Sequence, residues 1–126
     1  ILDFNSIPVS LDFRTSGFDL SFDIKKDICD KKEFAVDIFL PAGMYEFEVK
    51  AKGEDALNIW PHMIVKFNNK RALDVYVNDD WKEYSGIIIV DSSTNRFGIV
   101  FDNDYYDEES MKDRNLYIDG IRLKAL

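Results

Sequence analysis

Residues 101–120 bring together groups that bind hard cations. The segment FDNDYYDEESMKDRNLYIDG holds seven carboxylates and two basic side chains, so it carries a net charge of −5 in a chain whose formal total is −8. Carboxylate, amide and backbone oxygens are the ligands that Ca²⁺ prefers. Repulsion among the carboxylates must be relieved by water, by Arg and Lys, or by a bound cation. A solvated acidic loop and a calcium site are therefore the two hypotheses for this segment.

The spacing of these acidic residues does not match an EF-hand. Counted from Asp102, the fifth position of that loop falls on Tyr106, and the position of its required glycine falls on Asp107. A calcium site in this segment must therefore be built in another way.

Asp119 lies near the end of the segment, in a predicted strand. It shares the two-residue phase of Ile121 and Leu123, which predicts that its carboxylate points inward with them. An isolated buried charge is too costly, so such a carboxylate needs a partner. Arg114, a backbone nest or a metal ion are the alternatives.

Composition limits the classes of partner. The chain has 126 residues, of which 46% are hydrophobic and 32% charged, and this predicts one folded domain over residues 1–126. Its net negative charge argues against nucleic acid and against an anionic membrane surface, because both are bound mainly through Lys and Arg. The longest apolar run, GIIIV at 86–90, is far too short for insertion into a membrane.

Apolar residues alternate with polar residues along most of the chain, which is the period of a β-strand. The alternation predicts strands at 7–13, 18–24, 34–40, 45–51, 63–67, 73–77, 97–101 and 116–126. GIIIV predicts a further, central strand that is buried on both faces. Short strands at regular spacing predict an all-β fold, a single β-sandwich or jelly roll of mostly antiparallel strands, with the acidic segment as a loop at its rim.

Two further residues with reactive side chains favour structural roles. Cys29 is the lone cysteine, so no disulfide can form within the chain, and a buried thiol is expected. His62 has no second His or Cys at metal-ligand spacing, which favours a structural histidine over a zinc ligand.

The motifs of the chain resemble one known family. FDNDYYDEESMKDRNLYIDGIRL resembles the C-terminal signature of calcium-dependent carbohydrate-binding modules of the xylan-binding kind, where an Asn-Asp pair precedes a DRNLY-aliphatic-Asp strand. LPAGMYEFEVKAKGE, WPHMIVKFNNK and DDWKEYSGIIIV are similar to the family's preceding strands and turns, in the same order. The resemblance implies a β-sandwich that binds polysaccharide through Ca²⁺, with sugar hydroxyls completing the coordination shell.

The resemblance also assigns site residues. The family's motif positions that carry carboxylate or amide oxygens fall on Asp104, Asp113, Asn103, Asn115 and Asp119, and Asp107 in the acidic insert is a further candidate metal ligand. Asp104 and Asp113 are the main candidates, while Asp119 belongs either to a separate structural calcium site or to a buried hydrogen-bond network. Arg114 either contacts the sugar or braces a carboxylate through a bidentate pair.

The aromatic residues divide by their predicted positions. Trp60, Tyr105 and Tyr106 fall in loops, where a ring can stack on the apolar face of a pyranose or anchor the loop. Tyr105 and Tyr106 are the stronger candidates because they adjoin the expected metal. Trp81 and Tyr84, three residues apart at the start of a strand, are expected to pack inside the sandwich.

Binding without catalysis is the favoured class of function. The sequence shows neither a nucleophile elbow nor a phosphate-cradling glycine loop, so we expect no enzyme activity. We expect calcium-dependent binding of a polysaccharide or glycan by an accessory domain, tethered within a larger extracellular or cell-surface protein. The alternative is a sandwich that serves as a spacer or protein-interaction domain and holds calcium for stability only.

Overall fold

The described part of the chain forms β-strands and the turns between them. This computed structural model describes the backbone of residues 2–3, 9–14, 17–22, 26–28, 33–38, 40–91 and 95–126. Its strands are β1 (Leu2–Asp3), β2 (Val9–Arg14), β3 (Gly17–Phe22), β4 (Lys26–Ile28), β5 (Glu33–Ile38), β6 (Gly43–Glu54), β7 (His62–Phe67), β8 (Lys70–Tyr76), β9 (Lys82–Val90), β10 (Asn95–Phe101), β11 (Tyr105–Asp107) and β12 (Lys112–Ala125). The described residues form no helix, and so none that could cross a membrane. Cys29, the predicted buried thiol, lies outside the described residues, as do Ile7 and Ile24 at two predicted strand ends.

The strands form two sheets. The first has five strands in the order β1-β5-β10-β7-β8, and the second has seven, with β2-β3-β12-β6-β9 in order and β4 and β11 also paired with β12. All of these pairings are antiparallel except that of β1 with β5. Apolar side chains from both sheets form one buried cluster. The predicted β-sandwich of mostly antiparallel strands is confirmed.

Alternation along β6 shows how the sequence builds this core. Its odd-numbered residues from Tyr45 to Gly53 are buried, whereas the even-numbered residues between them face outward. The ring of Phe47 contacts the ring of Phe97, which belongs to the other sheet. The two rings pack edge to face, with centroids 5.8 Å apart. The even-numbered face of β6 is therefore the outer face of the seven-stranded sheet.

The apolar run GIIIV ends β9, at the edge of the seven-stranded sheet. Among the described strands β9 pairs with β6 alone. Ile88 and Val90 face the core, but Ile87 and Ile89 are 47% and 67% exposed. The prediction of a central strand buried on both faces is therefore wrong. An unbroken apolar run has no period, so it cannot show which of its residues face solvent.

Trp81 and Tyr84 lie on opposite faces of the seven-stranded sheet. Tyr84 packs against the core, as predicted. Trp81, one residue before β9, is 47% exposed, so the prediction that it packs inside the sandwich is wrong. Residues three apart in an extended chain point in opposite directions, because side chains alternate with a period of two.

β12 is the long strand that carries much of the predicted site. Its register with β6 shifts between Ile118 and Gly120, which marks a β-bulge at Asp119. The extra residue lets Ile118 and Ile121 both point into the core. Asp119 instead lies toward solvent, with its Oδ2 3.5 Å from Nζ of Lys50. The prediction that Asp119 points inward is therefore wrong.

Candidate metal and carbohydrate site

The predicted site lies where connecting segments meet at one end of the sandwich. These segments are residues 55–61 between β6 and β7, 102–104 between β10 and β11, and 108–111 between β11 and β12. Hydrogen bonds of Arg114 and Asn103 tie the first segment to the second. A cavity is lined by residues of the first and third segments. The fold therefore brings together stretches that are far apart in sequence.

Arg114 fixes these segments from the inside. It is 6% exposed, and its Nε, Nη1 and Nη2 donate hydrogen bonds to the backbone oxygens of Ile59, Asn103 and Ala56 at 2.9, 2.6 and 2.8 Å. The ring of Tyr105 lies 5.6 Å from the guanidinium carbon. These bonds go to carbonyls rather than to a carboxylate. The buried guanidinium of Arg114 therefore positions the loops and braces no carboxylate of the described residues, while a sugar contact by Arg114 stays a prediction.

Asn103 joins the same two segments through its side chain. Its Oδ1 accepts a hydrogen bond from the backbone N–H of His62 at 2.8 Å, and its Nδ2 donates to the carbonyl of Trp60 at 3.0 Å. Both ends of the amide are thus engaged with backbone. This contact holds the loop that carries Asp104, whose Oδ1 is shielded from solvent. Asn103 therefore acts first as a loop anchor.

A cavity of about 460 Å³ opens at this end of the sandwich. Its lining combines four carboxylates, two lysines, an aromatic ring and a flexible apolar side chain: Glu54, Asp55, Asp79, Asp113, Lys52, Lys112, Trp60 and Met111, with Gly53. Asp113 and Trp60 are predicted site residues. Acidic groups beside an aromatic ring suit a ligand that has both polar hydroxyls and an apolar face.

Sequence analysis missed three of the cavity carboxylates, Glu54, Asp55 and Asp79. Glu54 is the last residue of β6, Asp55 follows it directly, and Asp79 lies in the connection between β8 and β9. The available signal was their position at a strand end or in the connection that follows it, where binding residues commonly lie. Of these carboxylates, Asp55 pairs with Nζ of Lys112 at 3.4 Å.

Asn115 lies beside the cavity on the outer face of the sheet, two residues from Asp113. It is paired in register with Glu54, and its Nδ2 donates to Oε1 of Glu54 at 3.4 Å. The hydroxyl of Tyr117 donates to the same Glu54 oxygen. The Oδ1 of Asn115 is buried and accepts no hydrogen bond from the described residues. A buried oxygen acceptor of this kind suits coordination of a hard cation.

The described residues contain no preformed group of three or more His, Cys, Asp or Glu side chains that could hold a metal ion. Two of the predicted ligands are also engaged elsewhere: Asp119 pairs with Lys50, as described above, and Oδ2 of Asp107 accepts a 2.6 Å hydrogen bond from the hydroxyl of Ser110. That bond holds the pKa of Asp107 below its usual range. Of the predicted ligands, Asp113 lines the cavity and Asn115 pairs in register with the lining residue Glu54.

Tyr105 and Tyr106 are both exposed but face opposite sides of the β11–β12 hairpin. Tyr106 pairs in register with Asp113, and Tyr105 pairs with Arg114. Directly paired residues point to the same face of a ladder. Tyr106 therefore shares the face of Asp113, whereas Tyr105 lies against Arg114.

His62 forms a second polar cluster that sequence analysis did not predict. Its Nδ1 lies 2.8 Å from Oδ1 of Asp102 and its Nε2 lies 2.5 Å from Oδ1 of Asp74, while Arg71 donates to the other oxygen of Asp74 at 2.9 Å. The imidazole also stacks on Tyr76, with ring centroids 4.9 Å apart. Burial lowers the pKa of His62, but the hydrogen bonds to Asp74 and Asp102 outweigh it, and the net pKa is raised. These contacts agree with a structural role for His62.

Comparison with known families bears directly on this end of the molecule. A model of family 60, described as Ca-dependent, xylan-binding carbohydrate-binding modules, matches residues 46–125, which is more than half of the chain. The match includes most of β6, the cavity and the acidic segment. Among curated proteins, no sequence matches this chain.

Solved structures share the fold at low sequence identity. The CBM36-1 domain of a multidomain xylanase from the hindgut metagenome of Trinervitermes trinervoides is 10% identical, with a TM-score of 0.62, over 95% of this chain and 91% of that domain. TmCBM61, solved in complex with beta-1,4-galactotriose, is 14% identical, with a TM-score of 0.58, over 98% of this chain and 91% of that chain. The GH26-CBM35 beta-(1,4)-mannanase of Podospora anserina is 12% identical, with a TM-score of 0.55, over 86% of this chain and 28% of that chain. At such identities these matches show the fold.

Proposed function

Because the chain belongs to the family of calcium-dependent, xylan-binding carbohydrate-binding modules, we propose that it binds polysaccharide at the cavity beside Asp113, with Ca²⁺ as a direct participant. The observation that carries this proposal is the lining itself, four carboxylates and the ring of Trp60 around about 460 Å³. The carboxylates suit a hard cation and the ring suits the apolar face of a sugar. Noncatalytic carbohydrate binding is the function of the family.

Asp113 and Glu54 are the residues that we propose to hold the cation from the cavity wall. The buried Oδ1 of Asn115, on the same face, adds a neutral oxygen, and Asp104 adds a carboxylate from the 102–104 segment. When bound, Ca²⁺ would supply a hard centre that accepts sugar hydroxyls as ligands. Arg114 and Asn103 keep the supporting segments in place through their hydrogen bonds to backbone.

The sugar contact is assigned to the aromatic residues on this face. Trp60 lines the cavity, and the exposed ring of Tyr106 lies on the face of Asp113. Tyr105 has a different role, because its ring lies against the guanidinium of Arg114. The predicted pair of stacking tyrosines thus divides into one sugar-contacting residue and one loop anchor.

We further propose that the domain spans residues 1–126 and is tethered within a larger extracellular or cell-surface protein that acts on or adheres to glycans. Two proteins with the same fold are parts of longer chains: one is a domain of a multidomain xylanase and the other a GH26-CBM35 mannanase. Sequencing the flanking regions of the parent gene tests this point.

The proposed function is tested by pull-down on insoluble xylan, galactan and mannan, with Ca²⁺ and with EDTA. We expect retention on at least one polysaccharide with Ca²⁺ and none with EDTA. Asp113→Ala should abolish retention and weaken calcium binding in calorimetry, because it removes an anionic ligand. Asp91→Ala, which removes an exposed carboxylate elsewhere, should change neither.

Two outcomes would contradict the proposal. Glycan binding that persists in EDTA would place the sugar site away from the cation. Calcium binding without retention on any of the three polysaccharides would favour the alternative function, a spacer or protein-interaction domain with a structural metal.

A further inference from the structure

Trp81 is a large aromatic side chain left 47% exposed beside the cavity. It directly precedes Lys82, which pairs with Ala51 of β6, so it lies at the end of the sheet that also carries the cavity. The Nζ of Lys52 lies 5.7 Å from the centroid of the Trp81 ring. An exposed indole next to a polar cavity presents a flat apolar face beside groups that form hydrogen bonds.

Lys52 connects Trp81 with Tyr117 and with the cavity. Its Nζ lies 5.9 Å from the Tyr117 ring, and its register partner on β12 is Tyr117 itself. Lys52 also lines the cavity, and the hydroxyl of Tyr117 is bonded to Glu54, another cavity residue. The row from Trp81 through Lys52 to Tyr117 is therefore continuous with the cavity.

We propose that Trp81, Lys52 and Tyr117 form a second subsite on the outer face of the seven-stranded sheet, which takes further pyranose units of the glycan bound at the cavity. This inference rests on the proposed function. The indole offers a flat apolar face for the C–H face of a sugar ring, and the ammonium of Lys52 donates hydrogen bonds to hydroxyls. A row that crosses three strands spans about 10 Å, which gives room for more than one sugar unit.

The second subsite makes affinity depend on glycan length. A disaccharide fills the cavity alone, whereas a hexasaccharide also covers Trp81. Removing the indole should therefore weaken binding of the long ligand about five- to tenfold, the usual size of one aromatic contact. It should leave binding of the short ligand and of calcium unchanged.

The experiment measures dissociation constants by calorimetry in saturating Ca²⁺. The ligands are the disaccharides and hexasaccharides of β-1,4-linked xylose, galactose and mannose. The variants are Trp81→Ala, Trp81→Phe, which keeps a ring, and Tyr76→Ala, which removes an exposed ring from the five-stranded sheet. We expect weaker hexasaccharide binding for Trp81→Ala, partial recovery for Trp81→Phe and wild-type binding for Tyr76→Ala.

Each contrary result has a distinct meaning. Equal affinity of the wild-type protein for short and long ligands, or a Trp81→Ala variant that keeps the preference for the long ligand, overturns the second subsite and leaves the proposed function standing. A Trp81→Ala variant that also loses the disaccharide places Trp81 in the cavity site and overturns the separate subsite. A wild-type protein that binds none of these ligands overturns the proposed function and this inference with it. Melting temperatures of all variants show whether they are folded.

Discussion

Two acidic clusters in this protein differ in how their charge is balanced. Around His62, the carboxylates of Asp74 and Asp102 both meet the imidazole, and Asp74 also meets Arg71. Around the cavity, four carboxylates face two lysines, of which Lys112 pairs with Asp55. Lys52 lies instead over two aromatic rings.

This difference distinguishes a cluster that stabilises the fold from a cluster that we propose to bind a cation. In the His62 cluster the carboxylates contact Arg71 and the imidazole of His62, whose raised pKa favours its charged form, so these contacts stabilise the fold without a ligand. The cavity keeps negative charge that a cation from solution can neutralise. The uncompensated carboxylates of the cavity are therefore the ones that we propose to bind the cation.

Among changes at the site, the largest expected effect comes from removing Arg114, which holds the connecting segments in place. Arg114→Ala should destabilise the fold by about 3 kcal/mol or more, because three backbone carbonyls, one buried and two partly buried, would lose charged hydrogen-bond donors. Arg122→Ala, an exposed arginine on the same strand, should change stability by less than about 1 kcal/mol. Urea unfolding measures both. Similar losses for the two variants would show that Arg114 does not carry this role.

The next largest expected effect is the stabilisation of the fold by Ca²⁺, which tests whether the cavity carboxylates bind a cation. At a free calcium concentration about a hundred times the dissociation constant, the fold should gain roughly 2.7 kcal/mol, because the ion binds the folded state. Mg²⁺ should act weakly, since it demands a stricter octahedron and holds its waters tightly.

Asp113→Asn sharpens this test, because it keeps the size of the side chain and removes its charge. Scanning calorimetry should show that Ca²⁺ raises the melting temperature of the wild-type protein and of Asp91→Asn but not of Asp113→Asn. A calcium response that survives in Asp113→Asn would move the metal to another part of the chain.

The two-residue alternation predicted buried residues correctly where no bulge or edge interrupted it. Along β6 the odd-numbered residues from Tyr45 to Gly53 are buried, as the alternation predicts. The motif around residues 101–123 indicated the family. It failed at Asp119, where a bulge changes the phase, and at Ile89, where an apolar run at an edge leaves a side chain exposed. Gly120, a glycine inside the strand pattern, was the one local signal of the bulge, whereas the apolar run gave no sign that β9 is an edge strand.

The hydrogen-bond partners of individual polar residues could not be predicted from the sequence either. His62 meets Asp74 and Asp102, which are 12 and 40 residues away along the chain. Arg114 bonds to Ala56, 58 residues away. Contacts of this kind depend on the register of strands and on the packing of loops, so residue type and spacing do not determine them.

A smaller effect is the pH dependence of stability that the His62 cluster should produce. The pKa of His62 is raised above 6.5 in the folded protein, so its contribution to stability is present below about pH 6.5 and is lost as pH rises through the folded pKa. The pKa of Asp74 is lowered below 3.8, chiefly by its bond to His62, so its contribution is present above that pH and is lost as pH falls through the folded pKa. The cluster should therefore stabilise most between about pH 4 and 6.5.

His62→Gln isolates this contribution, since glutamine does not titrate. The difference in unfolding free energy between the wild-type protein and His62→Gln should shrink as pH rises from 6 to 9, measured by urea unfolding at each pH. A difference that stays constant over this range would mean that the charge on His62 does not contribute.

The smallest expected change separates the binding face from the core. Trp81→Ala should lower the unfolding free energy by less than about 1 kcal/mol, because the ring is half exposed and lies beside the flexible side chain of Lys52. Phe97→Ala should cost about 3 to 5 kcal/mol, because Phe97 is fully buried and packs against Phe47. Urea unfolding of both variants measures the contrast. If Trp81→Ala lowers the unfolding free energy by several kcal/mol, Trp81 stabilises the fold and the basis for a sugar contact there is removed. A small loss leaves its ring available for a ligand.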